Sequence, residues 1–374
     1  MGPVSAPERL RVATFNVSLY RDEAGQLARD LAAWTDPQLE AITGIVQAVS
    51  PDVLVLNEVD HDAGGEAVRL LGQRLGYPYG LALESNTGVP SGLDLDGDGR
   101  ADHPPGSRAY GNDAFGYGTH EGQYGLAVLS RLPLDEAGVR TWRAALWRDA
   151  PGPRPPEGFY PAGAADMLRL SSKTHAVVPV RTEDGPLHLV LAHPTPPGFD
   201  GPEDRNGRRN AAEIALLHAL VDPGAPVPPD DAGRAGGLPE GVPFVIAGDL
   251  NADPEDGDAY GVMRALLADP RVTDPQPRSA GGPAASAAQG EANAGQSGDP
   301  GLDTADFSDG QVGNLRVDYV LPSATLGVRG AGVFWPAEGE AGYDLVGSGW
   351  PVVSSDHRLV WVDVALPKRR EDGG

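Results

Sequence analysis

The sequence predicts an α/β fold of four layers, two mixed β-sheets packed face to face and flanked by helices. Three observations lead there. Short β-type runs recur along nearly the whole chain, with chemically active side chains at or just beyond their ends. Stretches with helical spacing alternate with some of these runs. Elsewhere strands follow one another with no helix between them, which fits a simple doubly wound sheet poorly.

Leu10 to Phe15 reads as a strand ending at Asn16. Asp36-Pro37 has the chemistry of a helix cap and a first-turn proline. Leu39, Ile42, Val46 and Val49 then recur at helical spacing until Ser50-Pro51. Val53 to Leu56 is a continuous apolar run of buried-strand type that delivers Asn57 and Glu58. A second helical stretch covers Glu66 to Leu75. Tyr124 to Leu129, Ala176 to Val180 and Leu187 to Ala192 read as strands, the last ending at His193. Asn210 to Leu220 reads as a helix. Pro243 to Ala247 is a strand that ends in Gly-Asp-Leu-Asn, and Val317 to Leu321 carries Asp318. Leu359 to Val364 follows Asp356-His357 directly. Asp249 and Asn251 alternate with Leu250, so both polar groups can point one way while the leucine points into the core.

Three segments interrupt this pattern, at 85–124, 150–163 and 279–301, and none has the apolar content of a separate domain. The third is full of Ala, Gly, Ser and Gln and reads as a flexible surface loop. A single domain over residues 8–367 therefore accounts for the chain, with no internal repeat.

With 374 residues, 40% of them hydrophobic, the chain has material for a sizeable core. No apolar run approaches the length of a membrane span. The absence of cysteine excludes disulfides, zinc–thiolate sites and thiol catalysis. Twenty-nine basic against 53 acidic residues give a formal charge of -24, a field that repels polyanions and disfavours duplex DNA as a partner. A small phosphorylated substrate is compatible, because a bound divalent metal inverts the local sign. Lysine occurs only at Lys173 and Lys368, an arginine bias that reads as genomic composition. Met1-Gly-Pro-Val-Ser-Ala-Pro has neither a basic start nor an apolar core and is not expected to be an intact signal peptide. The expected location is secreted or periplasmic after removal of a signal, with the cytoplasm as the alternative.

Each polar candidate also has a plain reading. Asp-Leu-Asn after a strand is commonly a turn or a cap. Glu58 taken alone is a solvated edge residue, Ser-Asp-His a capped turn, and His193 before Pro194 a strand end. The weighing changes because five separate strand ends carry such groups. Oxygen-rich clusters of Asp, Glu and Asn suit Mg²⁺, Mn²⁺ or Ca²⁺ better than zinc.

Seven pieces stand in one order: Ala-Thr-Phe-Asn-Val, Pro-Asp-Val-Leu-Val-Leu-Asn-Glu-Val, Tyr-Gly-Leu-Ala-Val-Leu-Ser-Arg, Ala-His-Pro-Thr-Pro-Pro, Ala-Gly-Asp-Leu-Asn-Ala-Asp-Pro, Arg-Val-Asp-Tyr-Val-Leu and Ser-Asp-His-Arg-Leu-Val. Together they resemble the endonuclease/exonuclease/phosphatase superfamily over almost the whole chain. The resemblance implies a metal-dependent phosphoesterase acting by in-line attack of water. It implies that Glu58 and Asp356 hold a catalytic Mg²⁺ or Mn²⁺ (Ca²⁺ being the other option), with Asn16 helping to position metal or phosphate. His357, oriented by Asp318, and Asp249 become the acid/base candidates. His193 and Asn251 become donors to the nonbridging phosphate oxygens. These parts match what phosphoryl transfer requires. Tyr110, Asn112, Tyr117, Tyr124 and Arg131 are candidates for the cleft wall, against a reading as packing anchors.

A second site is suggested by Asp94, Asp96, Asp98 and Asp102, alternating acids interrupted by Gly97 and Gly99 as at the start of a calcium loop. Pro105 stands where an EF-hand would place its last carboxylate, so the segment is closer to the short Asp-rich loops of extracellular calcium modules. A structural Ca²⁺ is expected there, against a solvated acidic turn.

The leading expectation is hydrolysis of phosphate mono- or diesters of small molecules or lipid head groups by a monomer. The alternatives are a secreted deoxyribonuclease-like nuclease and a catalytically dead binding module. The last is disfavoured because every catalytic-type position is filled.

Overall fold

The computed structural model describes residues 9–257, 259–347 and 352–367. Residues 1–8, which include the segment read for a signal and the expected first residue of the domain, lie outside the described residues, as does Lys368.

The strands are β1 (Leu10–Leu19), β2 (Val53–Val59), β3 (Tyr79–Leu83), β4 (Leu126–Ser130), β5 (Arg140–Thr141), β6 (Ala176–Thr182) and β7 (Gly185–Leu191). They continue with β8 (Phe244–Asp249), β9 (Ala305–Asp306), β10 (Asn314–Leu315), β11 (Asp318–Pro322), β12 (Gly327–Val333) and β13 (Val360–Ala365). One sheet has the order β12-β13-β1-β2-β4-β3, the other β11-β8-β7-β6-β5, and β9 pairs with β10 alone. Both large sheets are mixed: β1 runs parallel to β2 and β7 parallel to β8, while their other pairings are antiparallel.

Period-two alternation builds the layers. Leu187, Leu189 and Leu191 of β7 and Val245 and Ala247 of β8 face the other sheet, sharing a core with Val12, Phe15 and Val55. Val190 and Ile246 point the opposite way, under Ile214 and Leu217. The outer layers are helical. On one side lie α1 (Gln26–Ala33), α2 (Pro37–Val49) and α3 (Glu66–Leu75); after the short α4 (Arg108–Asn112) in the long loop, α5 (Arg205–Leu220) covers the other side. The α2 start follows its sequence signal: Asp36 accepts a 2.9 Å hydrogen bond from the Gln38 amide, with Pro37 in the first turn. Among the described residues no helix is long and apolar enough to cross a membrane.

The structure departs from the sequence expectations in four places. Strands β1 and β2 run past Asn16 and Glu58, which lie inside the last paired turns of the sheet rather than beyond them. Strands β3 and β12 were not anticipated; Gly-Val-Arg-Gly-Ala-Gly-Val carries no β-type signal of its own and is a strand because β13 pairs with it. Helix α5 begins at Arg205, five residues before Asn210. The segment 279–301 is not a flexible loop: it contains α6 (Val262–Leu267)'s successor α7 (Gly281–Gln289) and a 3-10 turn at Glu291–Gly295. Alanine content favours helix there, and Gly281 and Gly282 are buried, with the Gly281 amide donating to the Trp335 carbonyl at 2.8 Å.

Candidate functional site

The expected residues converge from both sheets. Asp249 ends β8 and Asp318 opens β11, and the two are direct partners across that antiparallel pair. Asp249 is buried and takes several donors. Its Oδ2 accepts from Asn16 Nδ2 at 3.0 Å and lies 3.3 Å from His193 Nε2 and 3.7 Å from His357 Nε2. Its Oδ1 accepts the Asn251 amide at 2.9 Å. His357 Nδ1 donates to Asp318 Oδ2 at 2.9 Å, and Thr304 Oγ1 donates to the same oxygen at 2.8 Å. Phe307 closes the outside of this pair, its ring edge-to-face with the imidazole at 5.3 Å.

Backbone geometry places these groups. Gly248 has φ +155, and a Cβ there would stand 2.1 Å from the Ala192 carbonyl oxygen, so only glycine lets β8 draw close to the end of β7, bringing Asp249 to His193. The β1–β2 register slips between Asn16 and Leu19, where Ser18 takes φ 48, and Glu58 opposite takes φ 59. Such left-handed non-glycine residues are held only where the surroundings over-determine them, at a cost on the order of 1–3 kcal/mol each.

The electrostatics sort the groups by charge. Burial opposes charge on His357, yet Asp318 and Asp249 outweigh it and raise its pKa well above the ordinary imidazole value. Burial would raise Asp249, but His357, His193 and Asn16 hold it well below the usual carboxylate range. His193 is pushed down to about 4 by burial and by Lys173, so it is neutral at pH 7. Burial pushes the carboxyl of Glu58 up to about 7, with Asp356 adding to the rise and His357 and Lys173 opposing it.

Glu58 and Asp356 fit a cation. Asp356 lies close enough to disfavour charge on Glu58, and among the described residues neither forms an ion pair with Lys or Arg. Ser18 Oγ donates to Asp356 at 3.3 Å, and Ser355 Oγ ties the same corner to the Asn16 carbonyl at 2.7 Å. Asp249, Asp318 and His357 also present ligand atoms within 4.8 Å of one another. Their mutual hydrogen bond and ion pairs already use those atoms, whereas the carboxylates of Glu58 and Asp356 have no such cationic partner and are the freer of the two groups to take a cation.

Asn251 joins the cluster through its amide, but its side-chain Nδ2 donates to the Pro194 carbonyl at 3.1 Å and His193 directs Nε2 at Asp249, leaving Nδ1 buried without a partner. Three of the five proposed wall residues are anchors. Tyr110 is buried with its hydroxyl on the Gly88 carbonyl, Asn112 donates to Asp96, and Arg131 holds Ser50. Tyr124 does face the site: its ring lies tilted against that of Tyr20 with centroids 4.6 Å apart, and Glu58 acts on both phenols. Tyr117 is about half exposed.

Two residues that sequence reasoning missed complete the site. Lys173 is buried, with its pKa lowered by burial while Glu213, Glu58 and Asp249 act on it from around the cleft. The signal was its rarity in an arginine-rich chain. Glu213, buried on α5, accepts the amides of Ser172 at 2.7 Å and Thr195 at 2.6 Å, clamping the segments that carry Lys173 and His193. Nothing in the sequence distinguished it from any helical glutamate.

The family model for the Endonuclease/Exonuclease/phosphatase family matches residues 13–357. No curated protein matches the sequence. Among solved structures, an endonuclease/exonuclease/phosphatase protein from Beutenbergia cavernae is 21% identical with a TM-score of 0.52, over 96% of this chain and 72% of that one. A sphingomyelinase C from Streptomyces griseocarneus is 16% identical with a TM-score of 0.47, over 96% and 99% of the two chains. Truncated TDP2 from Caenorhabditis elegans gives 14% identity and a TM-score of 0.47, over 96% and 97%. The first of these shares the fold, and the family match extends from β1 to the Asp356-His357 pair: the chain belongs to the endonuclease/exonuclease/phosphatase family.

Proposed function

We propose that the protein is a divalent-metal-dependent hydrolase of phosphate esters carried by small molecules or lipid head groups. The observation that supports this most is the buried relay Asp318–His357–Asp249–His193 standing beside an unpaired carboxylate corner at Glu58 and Asp356. A divalent ion held by Glu58 and Asp356, with Asn16 beside them, would stabilise charge on the phosphate oxygens as a Lewis acid.

The chain's own groups divide the remaining work. Asp318 fixes the imidazole of His357 through Nδ1, so Nε2 is the nitrogen directed toward Asp249. A charged His357 has no lone pair to accept a proton, which leaves the ionised Asp249 as acceptor for the proton of attacking water. The water oxygen bonds to phosphorus while the bond to the leaving oxygen breaks on the opposite side, and that oxygen takes a proton from solvent. His357, with its charge held in a dry setting, stabilises the negative oxygens of the transition state. Lys173 supplies a second cation for a nonbridging oxygen. Neutral His193 holds Asp249 in place by donating from Nε2.

The test is a panel of a phosphomonoester, a soluble phosphodiester, a phospholipid, and duplex and single-stranded DNA, each with Mg²⁺, Mn²⁺ and Ca²⁺ in turn. The expected result is metal-dependent turnover of the small or lipid esters, with duplex DNA a poor substrate. The -24 chain has to bring a polyanion against its own field. Efficient duplex cleavage that falls steeply as salt rises would replace this reading with a nuclease.

A further inference from the structure

We propose that the loop from Ser91 to Asp113 is a structural calcium site whose ligands are Asp94, Asp96 and the buried Asp113. The three residues each present a carboxylate oxygen within 4.8 Å of the other two. Two oxygens at about 2.4 Å from one ion are at most about 4.8 Å apart, so these three separations admit a single Ca²⁺ between them.

Asp113 points to a ligand on its own account. It is only 4% exposed, its Oδ1 accepts the Leu95 amide at 2.7 Å, and its Oδ2 is buried with no hydrogen-bond donor. A buried acceptor left without a donor is costly and uncommon. Among the described residues no Lys or Arg pairs with Asp94, Asp96 or Asp113, and the nearest cationic candidate, His103 Nε2, stands 3.8 Å from Asp113 and faces Asp98 at 2.9 Å. Backbone amides and Asn112 Nδ2 donate to Asp94 and Asp96, but these donors carry no charge, and among the described residues no Lys or Arg offsets the three acids that meet at the orphaned Asp113 oxygen. A hard, oxygen-seeking cation of flexible geometry answers all of this, and Ca²⁺ accepts the 6–8 ligands that carboxylates, loop carbonyls and water provide.

The ligand set differs from the one the sequence pattern suggested. Asp102 is exposed, paired with Arg100, and outside the cluster; Asp98 is engaged by His103. Their place is taken by Asp113, which sequence spacing could not connect to Asp94. The loop leads directly into Ala114 and Gly116. A Cβ on Gly116 would stand 1.8 Å from the Ser172 carbonyl oxygen, so this strand of chain lies flush against the residue preceding Lys173. Ordering the loop thus braces the cleft wall without entering the chemistry, and the assignment does not depend on the proposed hydrolase activity.

The experiment measures thermal unfolding and bound calcium, by equilibrium dialysis, on the full chain stripped of metal. The variants are Asp113→Asn, Asp96→Asn, Asp102→Asn and Glu58→Gln. Calcium should raise the unfolding temperature of the wild type, Asp102→Asn and Glu58→Gln by several degrees through mass action. Asp113→Asn and Asp96→Asn should each lose that increment and one bound ion. Asp96 is exposed, so its variant serves if Asp113→Asn does not fold. Retention of the full increment and ion by Asp96→Asn, or their loss in Glu58→Gln alone, would overturn the site and move calcium to the cleft. Activity is not the readout, so an absent hydrolase would leave the result intact.

Discussion

Asp249 and Asp318 face each other across the β8–β11 pair, and the imidazole of His357 stands between them, 2.9 Å from one and 3.7 Å from the other. Two carboxylates on adjacent strands thereby share one cation. If the three act as a unit, Asp318→Asn and His357→Ala should each lower turnover by roughly 10²–10⁴-fold. The double variant should lose little more than the worse single one. Steady-state kinetics on a soluble phosphate ester gives the comparison, and losses that multiply would show independent residues.

Metal removal should abolish activity and Mn²⁺ or Mg²⁺ should restore it in the wild type. Glu58→Gln keeps the shape of the side chain but removes a charged ligand, so it should stay folded and require far more metal. Metal titrations of rate, with circular dichroism as the folding control, report both. Unaltered activity after exhaustive chelation, with no metal by elemental analysis, would sink the metal-dependent reading.

Lys173→Met should lower the rate roughly 10²-fold, the order lost with one transition-state donor. Lys173→Arg should recover part of it. The neutral variant should also bind inorganic phosphate more weakly, which isothermal titration tests independently of turnover. Equal phosphate affinity in both variants would remove Lys173 from the substrate site.

Stability should fall with acid through His193. Its ordinary value of 6.5 drops to about 4 on folding. Between these pH values the unfolded chain binds the proton and the folded chain does not, so stability rises with pH across this window and the penalty is complete below about 4. The shift corresponds to about 3 kcal/mol, an order-of-magnitude figure. Urea unfolding from pH 4 to 7 should show a steeper dependence for the wild type than for His193→Gln. Identical slopes would mean that His193 is not buried neutral.

The sheet ends were legible because buried strands and catalytic side chains leave opposite marks: an apolar run and then a single charged residue. Val53 to Glu58 shows both. What stayed hidden depended on partners distant in sequence. Strand β12 is glycine-rich and becomes a strand only through β13. Asp113 joins Asp94 across a loop, and Lys173 gains meaning only once Glu58 and Asp249 surround it. The helix at Gly281–Gln289 was legible in its alanines, but a composition rich in glycine and serine outweighed them.

The left-handed backbone at Glu58 sets stability against chemistry in one residue. Glycine there would remove both the conformational penalty and a carboxyl that burial pushes toward neutrality. Glu58→Gly would therefore relax the bend and discard a burdened carboxyl at once, so the fold by itself gives no reason for an acid at this turn.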